Sequence, residues 1–353
     1  MDTVPEEAVW AVVGDIALPA LHRAIVERSR RYTSERDRLT ARPTDPAADL
    51  AARALFFTLC DAPKIAIPLA ELANRNLIPS RPLRVVDVGA GCGALSIGIA
   101  AFITDRPLDF TLLDRDADAL AIGKRALARI APDARVTTRG LDLVRDRAAL
   151  PDADLVVLGS VLNELPAAAR LPLIERAVAA IADDGAVIVI EPALRETARA
   201  LHELRDAVLA ARLAHVFAPC TRAIAPCPML ANERDWCHED RAVTLPPRTA
   251  ELARVTHLRD DGLKFSYLVL RRDSTPLVEQ RGWRVVSAPH APKGKLELDG
   301  CSDAGLVQLR LLRRHRSDAN RAFERAARGD VLAVDAVEIT SETRVERIEP
   351  AKR

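Results

Sequence analysis

Residues 85–98 read VVDVGAGCGALSIG: a β-branched apolar run breaks at three alternating glycines and resumes as an apolar helix. At Gly89, Gly91 and Gly93 the backbone can turn sharply and approach a ligand with no Cβ in the way. The helix behind them offers unpaired N–H groups at its first turn. Gly89-x-Gly91-x-x-Ala94 also satisfies the dinucleotide fingerprint, so the glycines alone point to a nucleoside cofactor without choosing one. Asp87 separates the two classes. Its carboxylate suits the cationic amino end of S-adenosylmethionine and repels a pyrophosphate. The bland alternative is a glycine turn with no ligand.

Outward from the loop, strand and helix alternate. DFTLLDRD (109–116), ARVTTRGLD (134–142), DADLVVLGSVLNELP (152–166) and GAVIVIEPA (185–193) read as strands, with apolar-periodic helices after most of them. Short connections in this order predict an α/β fold with a parallel sheet covered on both faces; with the glycine loop and Asp87 read as an S-adenosylmethionine site, it is a Rossmann-type sheet of the class I methyltransferase kind. Asp114, ending the second strand, is placed for ribose hydroxyls, and Asp142, after the third, for an adenine amino group. Asn163 and Glu164 emerge from the fourth strand at the carboxyl edge, where they can orient an amino group awaiting methylation. A helix cap is the structural alternative. The Asn-Pro-Pro-aromatic signature of amino-group methylation is absent, and so is a cysteine nucleophile with a base partner.

The flanks differ in texture. Residues 1–75 read as a helical extension, with a charged, Pro-containing stretch at 28–46 that serves as helix end and linker. Residues 76–275 form the Rossmann domain, with an insertion at 216–242; LKFSYLVLRRD behind it can return to the sheet as an antiparallel strand. Residues 276–353 form a small β-rich part. Hydrophobic residues make up 49% of the 353-residue chain and charged residues 29%, enough for a sizeable core. No basic-then-apolar leader and no stretch of 18 uninterrupted apolar residues is present, which points to a cytoplasmic protein with no membrane partner.

Six cysteines in a chain this long do not make a disulfide scaffold; clustered thiols in a cytosolic protein suit metal or catalysis. Cys220, Cys227 and Cys237 fall in APCTRAIAPCPMLANERDWCHED (218–240), stiffened by flanking prolines. Cys301 follows in LELDGC. Four such thiolates suit tetrahedral zinc or an iron–sulfur cluster. Cys60 and Cys92 read as small buried residues.

VVDVGAGCG, SVLNELP, IEPA, APC…APCP…DWCHED, KFSYLVL, LELDGC and RGD, in that order over roughly residues 50–335, resemble the Rsm22-type proteins, relatives of the mitochondrial small-subunit methyltransferase-like proteins. The resemblance implies an S-adenosylmethionine-type Rossmann domain and a [4Fe–4S] cluster on Cys220, Cys227, Cys237 and Cys301. It also implies association with small-ribosomal-subunit RNA, as methyltransferase or as assembly factor. Seven arginines between 310 and 328, against Asp318 and Glu324, give that RNA a surface of phosphate-matching forks. The chain is near neutral at +1 and only 3% aromatic, so contacts to backbone and shape dominate over base stacking. The rival readings are a small-molecule methyltransferase with structural zinc, and an RNA-binding protein whose glycine loop holds nothing.

Overall fold

The computed structural model describes residues 4–39, 41–259, 262–279, 282–333, 337–341 and 344–348. Residues 334–336, inside the anticipated strand VLAVDAVEI, and 349–353 lie outside the described residues. Strands β1 (Leu83–Val88), β2 (Leu108–Asp114), β3 (Arg135–Gly140), β4 (Ala153–Gly159) and β5 (Ile181–Pro192) are parallel, in the order 3-2-1-4-5. Beyond β5 come β6 (His215–Ala218), β7 (Glu239–Arg241) and β8 (Leu263–Arg271). β8 runs antiparallel to β5, and β6 and β7 both pair with β8. This is the methyltransferase-type α/β sheet that the alternation predicted, and KFSYLVL does return as its antiparallel strand.

Both faces are apolar because both are covered. Val85, Leu155 and Val157 face one core while Val86, Val88, Val156 and Leu158 face the other, the period-two alternation of a strand. The first core is covered by the N-terminal helices α1 (Val4–Val13), α2 (Leu18–Tyr32), α3 (Pro46–Ala52), α4 (Leu59–Asp61) and α5 (Ala66–Asn74), with α6 (Ala94–Phe102) and α7 (Ala117–Ile130). The second is covered by α8 (Ala167–Ala180) and α9 (Arg195–Ala210). A π turn at Arg53–Thr58 lies between α3 and α4, and α10 (Pro247–Thr256) returns to the first core. No single helix among the described residues is long and apolar enough to cross a membrane.

A second sheet follows: β9 (Gly282–Val285), β10 (Lys295–Ser302), β11 (Gly305–Leu312), β12 (Val331–Ala333), β13 (Val337–Ser341) and β14 (Arg344–Ile348), in the order 12-9-10-11-14-13. Trp283, Val285, Leu298, Leu309 and Phe323 form its own small core.

The N-terminal helices are seated on α6 through Gly98, where an added Cβ would overlap the carbonyl oxygen of Ala62. Gly98→Val is expected to cost about 1–3 kcal/mol by overpacking, read as a lower urea midpoint. An unchanged midpoint would show that the helices do not rest there.

Candidate cofactor cleft and thiol cavity

A cleft of about 840 Å³ opens at the carboxyl edge of the sheet, where the strand order reverses between β1 and β4. Asp87, Gly89, Gly91, Asp114, Asp142, Asn163 and Glu164 all line it. Gly93 stands just behind, in left-handed conformation, as the N-cap of α6. Gly89 (φ +70°) admits no side chain, since a Cβ would overlap Val161.

Asp87 is 2% exposed. Its carboxylate accepts from the Ser96 hydroxyl at 2.7 Å and the Ser96 N–H at 3.3 Å. Burial pushes its pKa up to about 7, against the pull of those donors. Asp114 uses one oxygen to hold the Gly91 N–H (2.8 Å) and the other the Asp116 N–H (2.9 Å), so the acid expected to meet a ribose also fixes the glycine loop. Asp142 accepts the N–H groups of Val144 (2.9 Å) and Arg145 (3.2 Å), and those bonds hold its pKa down.

The loop after β4 is held by an acid that sequence reasoning passed over. Glu191, 2% exposed at the end of β5, accepts the backbone N–H groups of Leu162 (2.9 Å) and Asn163 (3.2 Å). Burial raises its pKa to about 7. A lone acid ending an otherwise apolar strand, GAVIVIEP, was the available signal. Asn163 is differently engaged from expectation. Arg36 donates to its carbonyl (3.0 Å) and to its Oδ1 (2.8 Å). Arginine has only donors, so it takes one of the two lone pairs of the amide oxygen, while the amide nitrogen is buried without a partner among the described residues. Glu164 stands at the cleft with its pKa raised by desolvation.

Residues 28–46, expected to be helix end and linker, roof the cleft together with the helical residues up to 53: Arg28, Tyr32, Arg42, Asp49 and Arg53 line it, and Arg53 pairs with Asp116 beyond β2. No signal set these arginines apart among 45.

A separate small cavity of about 40 Å³ is lined by all four predicted thiols, Cys220, Cys227, Cys237 and Cys301. The sequence brings them together through structure that spacing did not predict. Asp206 on α9 accepts the Cys227 N–H (2.7 Å), and His202, one turn earlier, accepts the Cys237 N–H through Nε2 (3.0 Å). Burial holds the His202 pKa down near 4, which keeps Nε2 an acceptor. Ser266 on β8 donates to the Cys237 carbonyl (2.8 Å), and Arg199 donates to the carbonyls of Met229, Asn232 and Asp235. Burial, then the neighbouring sulfurs, pushes the thiol of Cys237 up to about 12, and burial likewise lifts Cys227 to about 11 and raises Cys301. Arg205, buried in the wall, hydrogen-bonds Cys220, and the Nε groups of Arg205 and Arg284 are buried without acceptors. Among the described residues no group of three His, Cys, Asp or Glu side chains can hold a metal ion as placed. Cys60 and Cys92 are buried and apart from this set, as anticipated.

Residues 65–333 match the protein family described as mitochondrial small ribosomal subunit Rsm22, about three quarters of the chain. The chain belongs to the Rsm22 family. A stretch of 106 residues is 34% identical to the carboxy-S-adenosyl-L-methionine synthase of Geobacter metallireducens; it covers 30% of this chain and 43% of that enzyme. Among solved structures, the mitomycin 7-O-methyltransferase MmcR aligns with 16% identity and a TM-score of 0.40, over 67% of this chain and 60% of that one. The magnesium protoporphyrin IX methyltransferase of Synechocystis PCC 6803 with bound SAM aligns with 13% identity and a TM-score of 0.38, over 74% and 100%.

Asp87 and Glu191 both titrate near 7 when folded, above their unfolded values near 4. Each therefore adds stability below pH 4 that is lost as pH rises to 7. The ligand-free protein is expected to melt at lower temperature at pH 8 than at pH 5.5, and the difference should shrink in Asp87→Asn and in Glu191→Gln. Equal shifts in the variants and the wild type would reject these two carboxyls as the cause.

Proposed function

We propose that this Rsm22-family chain binds S-adenosylmethionine in the carboxyl-edge cleft and acts on small-ribosomal-subunit RNA, as methyltransferase or assembly factor. The observation that carries the reading is Asp87: a buried carboxyl with no cation beside it among the described residues, lining the cleft behind the glycine loop of a methyltransferase-type sheet. A cationic ligand amine supplies the missing charge. Asp114 then meets the ribose hydroxyls with its remaining lone pairs, and Asp142 the adenine edge. The cofactor, when bound, supplies an electrophilic methyl group. Of the two candidate acceptors beside it, Glu164 is the stronger base, being a carboxyl group, and Arg36 already draws on one lone pair of the Asn163 oxygen. Glu164, with its raised pKa, orients the substrate nucleophile and takes its proton.

Four sulfur donors line the thiol cavity, with two guanidinium groups whose Nε–H groups have no acceptor among the described residues. The Rsm22 resemblance implies a [4Fe–4S] cluster on these thiols, although no three of them can hold a single metal ion as placed. On this reading Cys220, Cys227, Cys237 and Cys301 hold a [4Fe–4S] cluster whose contribution is a rigid cross-link between the 219–238 loop and β10. Arg313, Arg314, Arg316, Arg321 and Arg325 are exposed on the second sheet's flank and offer the phosphate contacts.

Titration calorimetry with S-adenosylmethionine is expected to give about tenfold weaker binding at pH 6 than at pH 8, because Asp87 must be ionised to hold the amine and its free pKa is about 7. Asp87→Asn should bind weakly at both. No heat at either pH sinks the cofactor reading.

Anaerobically purified protein should be brown and carry iron and sulfide in about a 4:4 ratio. Changing Arg313, Arg314, Arg321 and Arg325 to Gln should reduce retention on small-subunit ribosomal RNA and flatten its salt dependence. Colourless protein carrying zinc, or a quadruple variant that binds RNA unchanged, would overturn the respective claim.

A further inference from the structure

The thiol site is assembled from two separate pieces of chain. Cys220, Cys227 and Cys237 lie on the loop between β6 and β7, next to the Rossmann sheet, whereas Cys301 lies on β10 of the second sheet. Something must hold these pieces in one relative position. One side chain bridges them directly. Arg284 on β9 is the cross-strand partner of Cys301 on β10. Its guanidinium reaches out of the second sheet, donating through Nη2 to Glu239 Oε1 at 2.7 Å and to the Tyr267 hydroxyl at 2.8 Å. Through Nη1 it donates to Glu71 Oε1 at 2.6 Å. Glu239 is two residues from Cys237, Tyr267 is on β8, and Glu71 is on α5. The Tyr267 hydroxyl in turn donates to Glu71 Oε2 (2.7 Å), and Arg241 donates to Glu239 Oε2 (2.8 Å).

Two guanidinium groups and two carboxylates therefore close a buried, charge-balanced network. The Arg284 and Glu239 side chains are each 4% exposed. Such a network has few alternative arrangements, since any shift leaves an unpaired buried charge. Lysine cannot reproduce it, having no planar fork to reach both carboxylates. The turn at Arg328–Asp330 closes over the same place: a Cβ at Gly329 would overlap Glu239 and Arg241, and the Gly329 N–H donates to the Val285 carbonyl at 2.7 Å.

We propose that Arg284 is the positioning residue of the four-thiol site. Its network docks the second sheet onto the Rossmann sheet, alongside the Thr221 hydroxyl, which donates to the Gly282 carbonyl (2.9 Å), and the packing of Val286 on Cys227 and Met229, so that the four thiols line one cavity before any inorganic centre arrives. The part that concerns uptake of a centre rests on the reading of the cavity given above; the docking part does not. The centre then enters a cavity that the protein has already formed and is not what holds the two sheets together. Arg284, a wall residue with an unspent Nε–H, has one donor left for what binds there.

The test uses the full chain in chelator-treated form and after reconstitution with ferrous iron plus sulfide, and separately with zinc. Hydrogen exchange is followed in β9, β10 and residues 220–241. Chelated wild type should keep its protection there. Arg284→Met should exchange at least tenfold faster in those segments with β1 and β4 unaffected, and should retain less than a fifth of the wild-type iron. Glu239→Gln, which leaves Glu71 and Tyr267 in place, should fall between, and Arg284→Lys should not restore uptake. Full iron uptake by Arg284→Met at the wild-type rate would overturn the proposal, as would chelated wild type losing protection as far as the variant does. If wild type takes up neither iron nor zinc, the cluster reading fails, while the exchange comparison still decides what docks the sheets.

Discussion

Burying a carboxyl group whose hydrogen bonds come from neutral donors destabilises a fold, and one edge of this sheet carries two such groups. Asp87, near the end of β1, accepts from Ser96, and Glu191, near the end of β5, accepts from the N–H groups of Leu162 and Asn163; both are 2% exposed. Between them β4 delivers the loop that carries Asn163 and Glu164. Glu191 fixes that loop from inside, and Asp87 is left facing the cleft. The rest of the site follows. Asp114 braces the glycine turn, Gly89 gives way to Val161, and the helices of both faces close around strands that could not otherwise be apolar on both sides.

The thiol cavity has the complementary arrangement. There burial raises the pKa of Cys227, Cys237 and Cys301, and the wall carries the guanidinium groups of Arg205 and Arg284 together with the carboxylate of Glu239. The Nε–H groups of both arginines have no acceptor among the described residues. The backbone around the thiols is fixed by Asp206, His202, Arg199 and Ser266.

What could be read from the chain was local. VVDVGAGCGALSIG announces its strand, turn and helix because each property sits within a few residues of the next, and the alternation downstream fixes a parallel sheet for the same reason. The four cysteines were legible as a set because thiols are rare here. Their supports were not, because His202 and Asp206 sit inside an ordinary amphipathic helix and show no pattern of their own. Arg36, Arg53 and Arg284 were invisible for the opposite reason. With 45 arginines in the chain, no single one carries information until its partner is known, and the partners that tie them to the sites lie far off, 127 residues from Arg36 to Asn163, 63 from Arg53 to Asp116 and 213 from Arg284 to Glu71.

That invisibility bears on how far family membership extends. The match over 65–333 takes in the floor of the cleft, the loop after β4 and all four thiols, but it stops short of the roof at 28–53. Asp87, the glycines and Asp114 belong to the floor, inside the match. Arg36 lies outside it, and its guanidinium draws on one lone pair of the Asn163 amide oxygen, which leaves the second open. Asn163 is therefore held by a contact between two segments 127 residues apart, only one of which lies within the family match.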